Sequence, residues 1–270
     1  MKIEKIRENA EYLEFLAATL FPESGKEFIR GVLFSLIKEC ESNETNEYLL
    51  LIANKAIELI IDKIKDYTHA RRKVDSSKSM RDILEGFKEL LLEIGELQDN
   101  KKYYSKCIRE NLRDLSKARE NVEEKYILFL DFWWEKIIRE SLDPRNRRDE
   151  KICELEKKLY ERSLQFEKNV ESLCYHGKAI RDKLYENIAN LISSEIVIYA
   201  IGRKFKSPKE AYETGYNLVL RNIISIVKHV IEEIEKYDEI CIQSTNLADS
   251  VKRMYENRDI SLVCRDYEKK

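Results

Sequence analysis

The chain has 270 residues, of which 43% are hydrophobic and 37% charged, with only seven glycines and three prolines. A formal net charge of −2 excludes a protein whose whole surface binds a polyanion. The scarcity of turn-forming residues leaves little room for strand hairpins, so the composition predicts long α-helices joined by few loops.

In chain order, the first predicted helices are amphipathic. One runs from about residue 3 to 20 and stops before Pro22. Ser24 and Glu27 have the spacing of a capping box, which predicts the start of a second helix that continues to about residue 40. A polar loop at 41–46 precedes a third helix over about residues 47–67.

The segment 69–78 is basic and contains serine, which is typical of a linker. A split there predicts a small helical N-terminal subdomain at 1–75 and a long-hairpin helical bundle at 76–270. One continuous domain is the alternative. After this segment, a fourth helix is predicted over about residues 79–97.

The chain is organised around a stretch from Tyr103 to Phe205 that contains a single proline, Pro144. Proline disfavours α geometry in the residue before it, so residues 143–149 are predicted to form a turn. On the far side, apolar residues recur at steps of three, four and seven: Ile152, Leu155, Leu159, Phe166, Val170, Leu173, Ile180, Leu184, Ile188 and Leu191. This spacing predicts a helix whose drifting register favours bundle packing over an extended coiled coil. The predicted fold is therefore all-α, a multi-helix bundle built on a long antiparallel helical hairpin.

The last helices begin after residue 206. Ser207 can cap a helix, Pro208 fits its first turn, and Glu210 stands three residues after the serine. This helix is predicted to continue to about residue 237, and a shorter one to span about 244–257.

The six cysteines form no CxxC pair, and none lies near a histidine at zinc-ligand spacing. We interpret them as small buried apolar residues in a reducing compartment. The N-terminus lacks the apolar core of a signal peptide, and no apolar run approaches the ~20 residues of a membrane span. We therefore expect a cytoplasmic protein without a membrane span. Three glutamines among many Lys and Glu residues are a pattern of thermophilic proteins.

The stretch 89–97 carries Glu89, Glu93 and Glu96, which can share one helix face, and clustered carboxylates can hold Mg²⁺. It resembles the first metal-binding motif of the all-α nucleoside triphosphate pyrophosphohydrolases, the MazG-like and dimeric dUTPase group. The resemblance implies that Glu93 and Glu96 hold magnesium together with an ExxD pair on the next helix. In place of that pair the chain has Glu110 and Asp114, with one residue too many.

Two readings of these acidic residues stay open. Glu120 and Glu123 offer an ExxE pair in place of the broken second motif. The other interpretation is a solvated acidic edge on an amphipathic helix with the following core residues: Leu90, Leu91, Ile94 and Leu97.

Four basic residues recur at steps of four, three and four and therefore form one ridge on a helix: Lys102, Lys106, Arg109 and Arg113. Tyr103 and Tyr104 lie beside its start. Two further patches are basic, one with Arg71, Arg72, Lys73, Lys78 and Arg81, the other at the predicted hairpin tip with Arg145, Arg147 and Arg148. If they meet in space, they form a surface that can follow a phosphate backbone and stack a base. The alternative is a solvated face or lysines paired with acidic neighbours.

The segment 126–134 holds both tryptophans and is apolar nearly all round, apart from Asp131. A helix of this kind is usually a core helix. The functional alternative is an interface patch made by Phe129, Trp133 and Trp134, because aromatic clusters mark interfaces.

No Walker loop, GxSxG, HExxH or GxGxxG motif is present in the sequence. Long helices provide surface, whereas catalytic residues usually lie on irregular segments. We therefore predict a non-catalytic helical interaction or scaffold protein that acts through protein–protein contacts, either with a protein partner or as a homodimer through the Trp-containing helix, and without a cofactor. The alternatives are a nucleic-acid-binding accessory protein that uses the Lys102–Arg113 ridge, and a divergent Mg-dependent triphosphate pyrophosphohydrolase that uses Glu93 and Glu96.

Overall fold

A computed structural model describes residues 3–43, 45–76, 79–133 and 149–256 of the chain. Within these ranges the regular elements are all helical, which confirms the all-α prediction. The elements are α1 (Ile3–Leu20), α2 (Glu23–Ser42), α3 (Glu47–Ser76), α4 (Met80–Trp133), α5 (Asp149–Gly202), α6 (Pro208–Leu218), a π-helical turn (Val219–Ile223) and α7 (Ile224–Glu256). None of these helices is both long and apolar enough to cross a membrane.

Several helices are longer than predicted. The two helices expected at 79–97 and from 103 onward form the single 54-residue helix α4, because residues 98–102 are polar but contain no glycine or proline. For the same reason α3 continues to Ser76, through most of the predicted linker. The boundary predicted near residue 75 stays a prediction.

The two predicted helix starts have different outcomes. Ser207 caps α6 as expected, since its Oγ accepts the backbone N–H of Glu210 at 3.1 Å. The capping box predicted at Ser24 is wrong: α2 begins at Glu23, and its capping residue Pro22 makes no side-chain hydrogen bond.

The contacts between α4 and α5 are those of an antiparallel hairpin. Phe129 stacks on Phe166, with ring centroids 4.4 Å apart, and three residues further along α4 the Phe132 ring lies beneath Arg162, four residues earlier on α5. Nearer the start of α4, Lys101 Nζ lies 3.1 Å from a carboxylate oxygen of Glu195. The predicted corner at Pro144 lies outside the described residues.

The chain forms two compact units. Unit 1 comprises Met1–Leu112 and Asp182–Glu232, and unit 2 comprises Arg113–Arg181 and Glu233–Lys270. The helices α4, α5 and α7 contribute residues to both units.

In unit 1, α2 and α6 cross at a pair of glycines. A Cβ on Gly31 would overlap the backbone oxygen of Tyr212, and a Cβ on Gly215 would overlap that of Phe28. The helices therefore pack backbone to backbone. Phe28 is fully buried beside this crossing, and its ring stacks with those of Tyr199 and Phe205 at 6.0 and 5.5 Å.

Unit 1 also contains a largely buried lysine, Lys63 of α3. Its ammonium donates hydrogen bonds to Ser193 Oγ at 2.6 Å, Ser194 Oγ at 2.8 Å and the backbone oxygen of Asn190 at 3.3 Å. None of these oxygens carries a charge, so burial dominates and lowers the pKa of Lys63 from 10.5 to about 8.

Because of Lys63, we expect the free energy of unfolding to rise as the pH becomes alkaline. Below pH 8 the ammonium is charged in both states, and its burial penalises the fold in full. Between about pH 8 and 10.5 the unfolded chain holds the proton that the folded state has released, so the free energy of unfolding rises with pH. Lys63→Met is expected to remove this rise, as measured by urea denaturation between pH 7.5 and 10. A control, Lys55→Met on the exposed side of the same helix, should keep it; equal behaviour of the two variants would contradict the prediction.

Unit 2 has a core in which Phe129, Phe166, Val170, Ala248 and Val251 are buried together. Along the seam between α5 and α7, the Tyr237 hydroxyl donates to the Leu173 backbone oxygen at 2.9 Å, and Arg181 pairs with Asp238 at 2.9 Å.

The same seam contains a disulfide between Cys174 and Cys241. The prediction of unpaired apolar cysteines is therefore wrong for these two, because folding brings together residues 67 positions apart. Cys40 and Cys107 are free, and burial raises the pKa of Cys40 to about 12, as expected for an inert core thiol.

Candidate functional site

The basic ridge lies exposed along α4. Lys102, Lys106 and Arg109 belong to unit 1, whereas Arg113 is the first residue of unit 2. Lys106 Nζ lies 3.8 Å from Glu110, and the Arg109 Nε donates to the Ser105 backbone oxygen at 3.3 Å. The ridge is therefore exposed, but two of its side chains already interact with groups of α4. Nucleic-acid binding stays a prediction.

The second basic patch does not join this ridge within unit 1. Val74 of α3 contacts Gly86 of α4, and Asp66 acts electrostatically on Glu93, so the two helices run antiparallel with Arg71 level with about residue 89. The ridge begins at Lys102, and thirteen further residues of helix span about 20 Å. Arg71 and Arg72 are exposed, but about 20 Å of helix separates them from the start of the ridge. Arg147 and Arg148 lie outside the described residues.

Glu89, Glu93 and Glu96 form an acidic cluster on α4, and Asp66 of α3 acts on it electrostatically. Burial, and then the carboxylates of Glu96, Asp66 and Glu89, raise the pKa of Glu93 above its ordinary value. In the described part of the chain, no three His, Cys, Asp or Glu side chains are grouped so that they could hold a metal ion. The use of Glu93 and Glu96 in a magnesium site therefore stays a prediction without geometric support.

The aromatic segment lies in unit 2 and is partly buried. Phe129 is buried against Phe166, Trp133 is half-buried, and Trp134 lies outside the described residues. The exposed apolar side chains of this segment are instead Ile127 and Leu128.

A larger apolar surface lies on a pair of helix ends in unit 1. We call residues 65–96, the end of α3 and the start of α4, the arm. Among the arm residues whose burial the structure describes, Gly86 alone is buried. Leu84, Leu91 and Leu92 are 63%, 68% and 58% exposed. The prediction that Leu91 is a core residue is therefore wrong, although Leu97 just beyond the arm is buried.

Three exposed residues of the arm and the partly exposed Gly95 share one face of α4. Leu84, Lys88, Leu91 and Gly95 follow at steps of four, three and four, so their positions lie along a single line on the helix. A Cβ added to Gly95 would meet no atom within 4 Å. Sequence reasoning missed this face because an apolar stripe looks the same whether the chain itself or another molecule covers it.

A second surface of unit 1 is a groove between the end of α5, α6 and the π-helical turn. It is an open groove with a volume of about 370 Å³, and its lining includes Tyr199, Arg203, Glu210, Asn217 and Arg221. The segment 203–209, which is the connector and the first two residues of α6, contains four Lys or Arg residues and no acid. This basic run could have indicated the groove from the sequence, whereas the π-helical turn has no recognisable sequence pattern.

The chain matches no model of a known protein family, and the comparisons with curated proteins and with solved structures found no significantly similar one.

Proposed function

We propose that this protein is a non-catalytic helical interaction protein that self-associates through the arm. The observation that carries the proposal is the exposure of Leu84, Leu91 and Leu92 on the arm, where Gly86 is the one buried residue among those whose burial the structure describes. An apolar helix face is stable in water when it packs on another layer, and contiguous exposed apolar patches mark interaction sites.

Charge supports a second copy of the chain as the partner. Residues 71–89, the tip of the arm, carry six Lys or Arg against four Asp or Glu, whereas the rest of the arm, residues 65–70 and 90–96, which we call its base, carries three acids against one Lys. The tip of the arm is therefore basic and its base acidic. Two arms paired antiparallel place each tip against the other copy's base, which is the self-complementary arrangement of a two-fold interface. A basic tip there also relieves the repulsion that Glu93 experiences from Glu96, Asp66 and Glu89.

Gly95 supports the same arrangement. Glycine inside a helix costs about 1 kcal/mol relative to alanine, and the chain itself leaves open space around this residue. In an antiparallel pairing, Leu84 of one copy approaches Gly95 of the other, so a large side chain meets a position without one. Close approach of a partner helix explains the glycine.

The double variant Leu84→Glu with Leu91→Glu is expected to be monomeric under conditions in which the wild type is a dimer. Each leucine contributes about 1.5–3 kcal/mol when buried, so the dimer dissociation constant should rise at least about 100-fold. Sedimentation velocity across a dilution series measures it. Because both side chains are exposed, the monomeric variant should keep the helical content of the wild type by circular dichroism, and its melting temperature should not fall.

The matched control is Leu128→Glu, on the same helix, 54% exposed, and next to the predicted aromatic interface. It should leave the dimer intact. If Leu128→Glu dissociates the dimer and the arm variant does not, association runs through the Trp-containing helix and the arm proposal fails. A wild type that stays monomeric at every concentration also contradicts it.

Charge reversal tests the orientation. Arg72→Glu with Arg81→Glu makes the tip acidic, and Glu93→Lys with Glu96→Lys makes the base basic. Each variant alone should dissociate, whereas the chain that carries all four reversals should recover the dimer because each tip again meets an opposite charge. In a parallel pair each tip would meet the other tip and each base the other base in every variant, so this pattern of loss and recovery would not occur.

We also propose that the protein acts in the cytoplasm. Its Lys- and Glu-rich composition with three glutamines supports a thermophilic origin. Intracellular proteins of hyperthermophiles commonly contain disulfides, so the bond between Cys174 and Cys241 is compatible with this location. Immunolocalisation in cells of the source organism tests it.

A further inference from the structure

The groove of unit 1 has a size and composition that differ from the helical surface around it. Its volume of about 370 Å³ lies within the range of about 300–1,000 Å³ that small-molecule sites occupy. Two arginines line it, Arg203 from the end of α5 and Arg221 from the π-helical turn, together with Thr214, Asn217 and Asn222.

The acidic residues of the groove are engaged by other groups. A Glu210 carboxylate oxygen accepts the backbone N–H of Lys206 at 2.7 Å, and Glu213 lies 3.9 Å from Lys209 Nζ. In the described part of the chain, neither Arg203 nor Arg221 forms an ion pair. Within the described residues, the two guanidinium groups are therefore the charged groups of the groove that have no oppositely charged partner.

Arg203 is held in position by aromatic rings. Its guanidinium carbon lies 5.6 Å from the centroid of Tyr199 and 5.7 Å from that of Phe205. Both rings stack on the fully buried Phe28. Phe28 lies on α2, which packs backbone to backbone with α6 at Gly31 and Gly215. A pre-positioned cation loses little entropy when it binds an anion.

Arg221 is presented by an unusual piece of backbone. In the π-helical turn, Val219 and Ile223 are buried, while Arg221 and Asn222 between them are exposed and line the groove. π-helical turns are rare and occur frequently at functional sites, since the additional residue per turn redirects the side chains. Here the turn directs an arginine and an amide toward the same space as Arg203.

We propose that this groove binds a phosphate monoester of a small molecule, with the phosphate between Arg203 and Arg221. Guanidinium groups bind phosphate through paired hydrogen bonds, and two of them match the double negative charge of a monoester. The Asn217 and Asn222 amides and the Thr214 hydroxyl supply hydrogen bonds to the rest of the ligand. A groove with a volume of about 370 Å³ fits a compact phosphate rather than an extended nucleic-acid backbone.

Isothermal titration calorimetry on the full chain tests the proposal, with AMP as the phosphate monoester and adenosine as its phosphate-free counterpart. AMP is expected to bind saturably, and adenosine to bind at least tenfold more weakly. Arg203→Gln and Arg221→Gln should each weaken AMP binding at least tenfold. Both side chains are exposed or stacked at the surface, so thermal melting should show that the variants remain folded. Arg109→Gln, an exposed arginine on the α4 ridge, is the matched control and should bind AMP like the wild type.

Three results would overturn the proposal. The first is no saturable AMP binding by the folded wild type. The second is an equal loss in Arg109→Gln and Arg221→Gln, which would indicate general charge attraction. The third is a single-stranded oligonucleotide that binds more tightly than AMP and depends on Arg203 and Arg221, which would assign the groove to a nucleic acid. None of these results bears on the arm, whose association is measured without ligand.

Discussion

Gly31→Ala is expected to destabilise unit 1 by about 1–2 kcal/mol. The new Cβ would overlap the backbone oxygen of Tyr212, and a backbone atom cannot rotate away as a side chain can. Strain of this kind costs typically about 1–3 kcal/mol and occasionally more. Alanine is also about 1 kcal/mol more favourable than glycine inside a helix. The variant is therefore less stable than the wild type only if α2 and α6 cannot move apart at a cost below that gain.

Gly215→Ala should behave in the same way, because its Cβ would overlap the backbone oxygen of Phe28 at the same helix crossing. Once one alanine has pushed the helices apart, the second costs less. The double variant is therefore expected to lose less stability than the sum of the two single variants, with a coupling of about 1 kcal/mol. Full additivity would mean that the crossing does not act as one contact.

Urea denaturation measures these losses, and hydrogen exchange locates them. Peptides from α2 and α6 should lose protection, while peptides from 159–175 in unit 2 should keep it. Gly202→Ala is the matched control, since a Cβ there would meet nothing within 4 Å. A loss in Gly202→Ala as large as that in Gly31→Ala would show that helical glycines in this chain are sensitive for reasons other than packing.

The elements of the fold could be predicted from the sequence because they depend on local patterns. The stripe from Ile152 to Leu191 defines a long helix by itself, and Ser207 with Pro208 defines a helix start. The segment 69–78, predicted as a linker from its charge and serines, contains no glycine or proline. Helix α3 continues to Ser76, since nothing in that segment breaks a helix.

The candidate sites could be predicted only in part, because they depend on which faces meet. The arm leucines have core spacing and are exposed, and spacing cannot distinguish the two. Cys174 and Cys241 lie 67 residues apart with no spacing motif, so their bond required the fold. Arg203 and Arg221 are separated along the chain by α6, and the π-helical turn that brings the second arginine into the groove has no known sequence signature.

Gly177→Ala is expected to destabilise unit 2 by about 2–3 kcal/mol. A Cβ there would overlap the ring and hydroxyl of Tyr237, which is 1% exposed and donates its hydroxyl hydrogen bond to Leu173. The ring cannot move aside without losing that hydrogen bond, and an unpaired buried hydroxyl costs about 1–3 kcal/mol. The Arg181–Asp238 ion pair and the disulfide lie on the same seam and resist separation of α5 and α7.

A second substitution separates the clash from other causes. Tyr237→Leu alone leaves a cavity and should cost about 2–4 kcal/mol, but in the Gly177→Ala background it removes the ring that clashes. The double variant should therefore be more stable than the two single losses imply, by about 1–2 kcal/mol.

Tyr237 also makes stability depend on pH. Burial, and then the charge of Asp238, raises the pKa of Tyr237 from 10 to about 12. The neutral phenol therefore stabilises the fold up to pH 10, and this contribution is lost as the pH rises toward 12. Gly177→Ala displaces the phenol and should shrink that alkaline loss. If the loss is unchanged and the double-variant effects are additive, Gly177 does not seat Tyr237 in the way that the structure indicates.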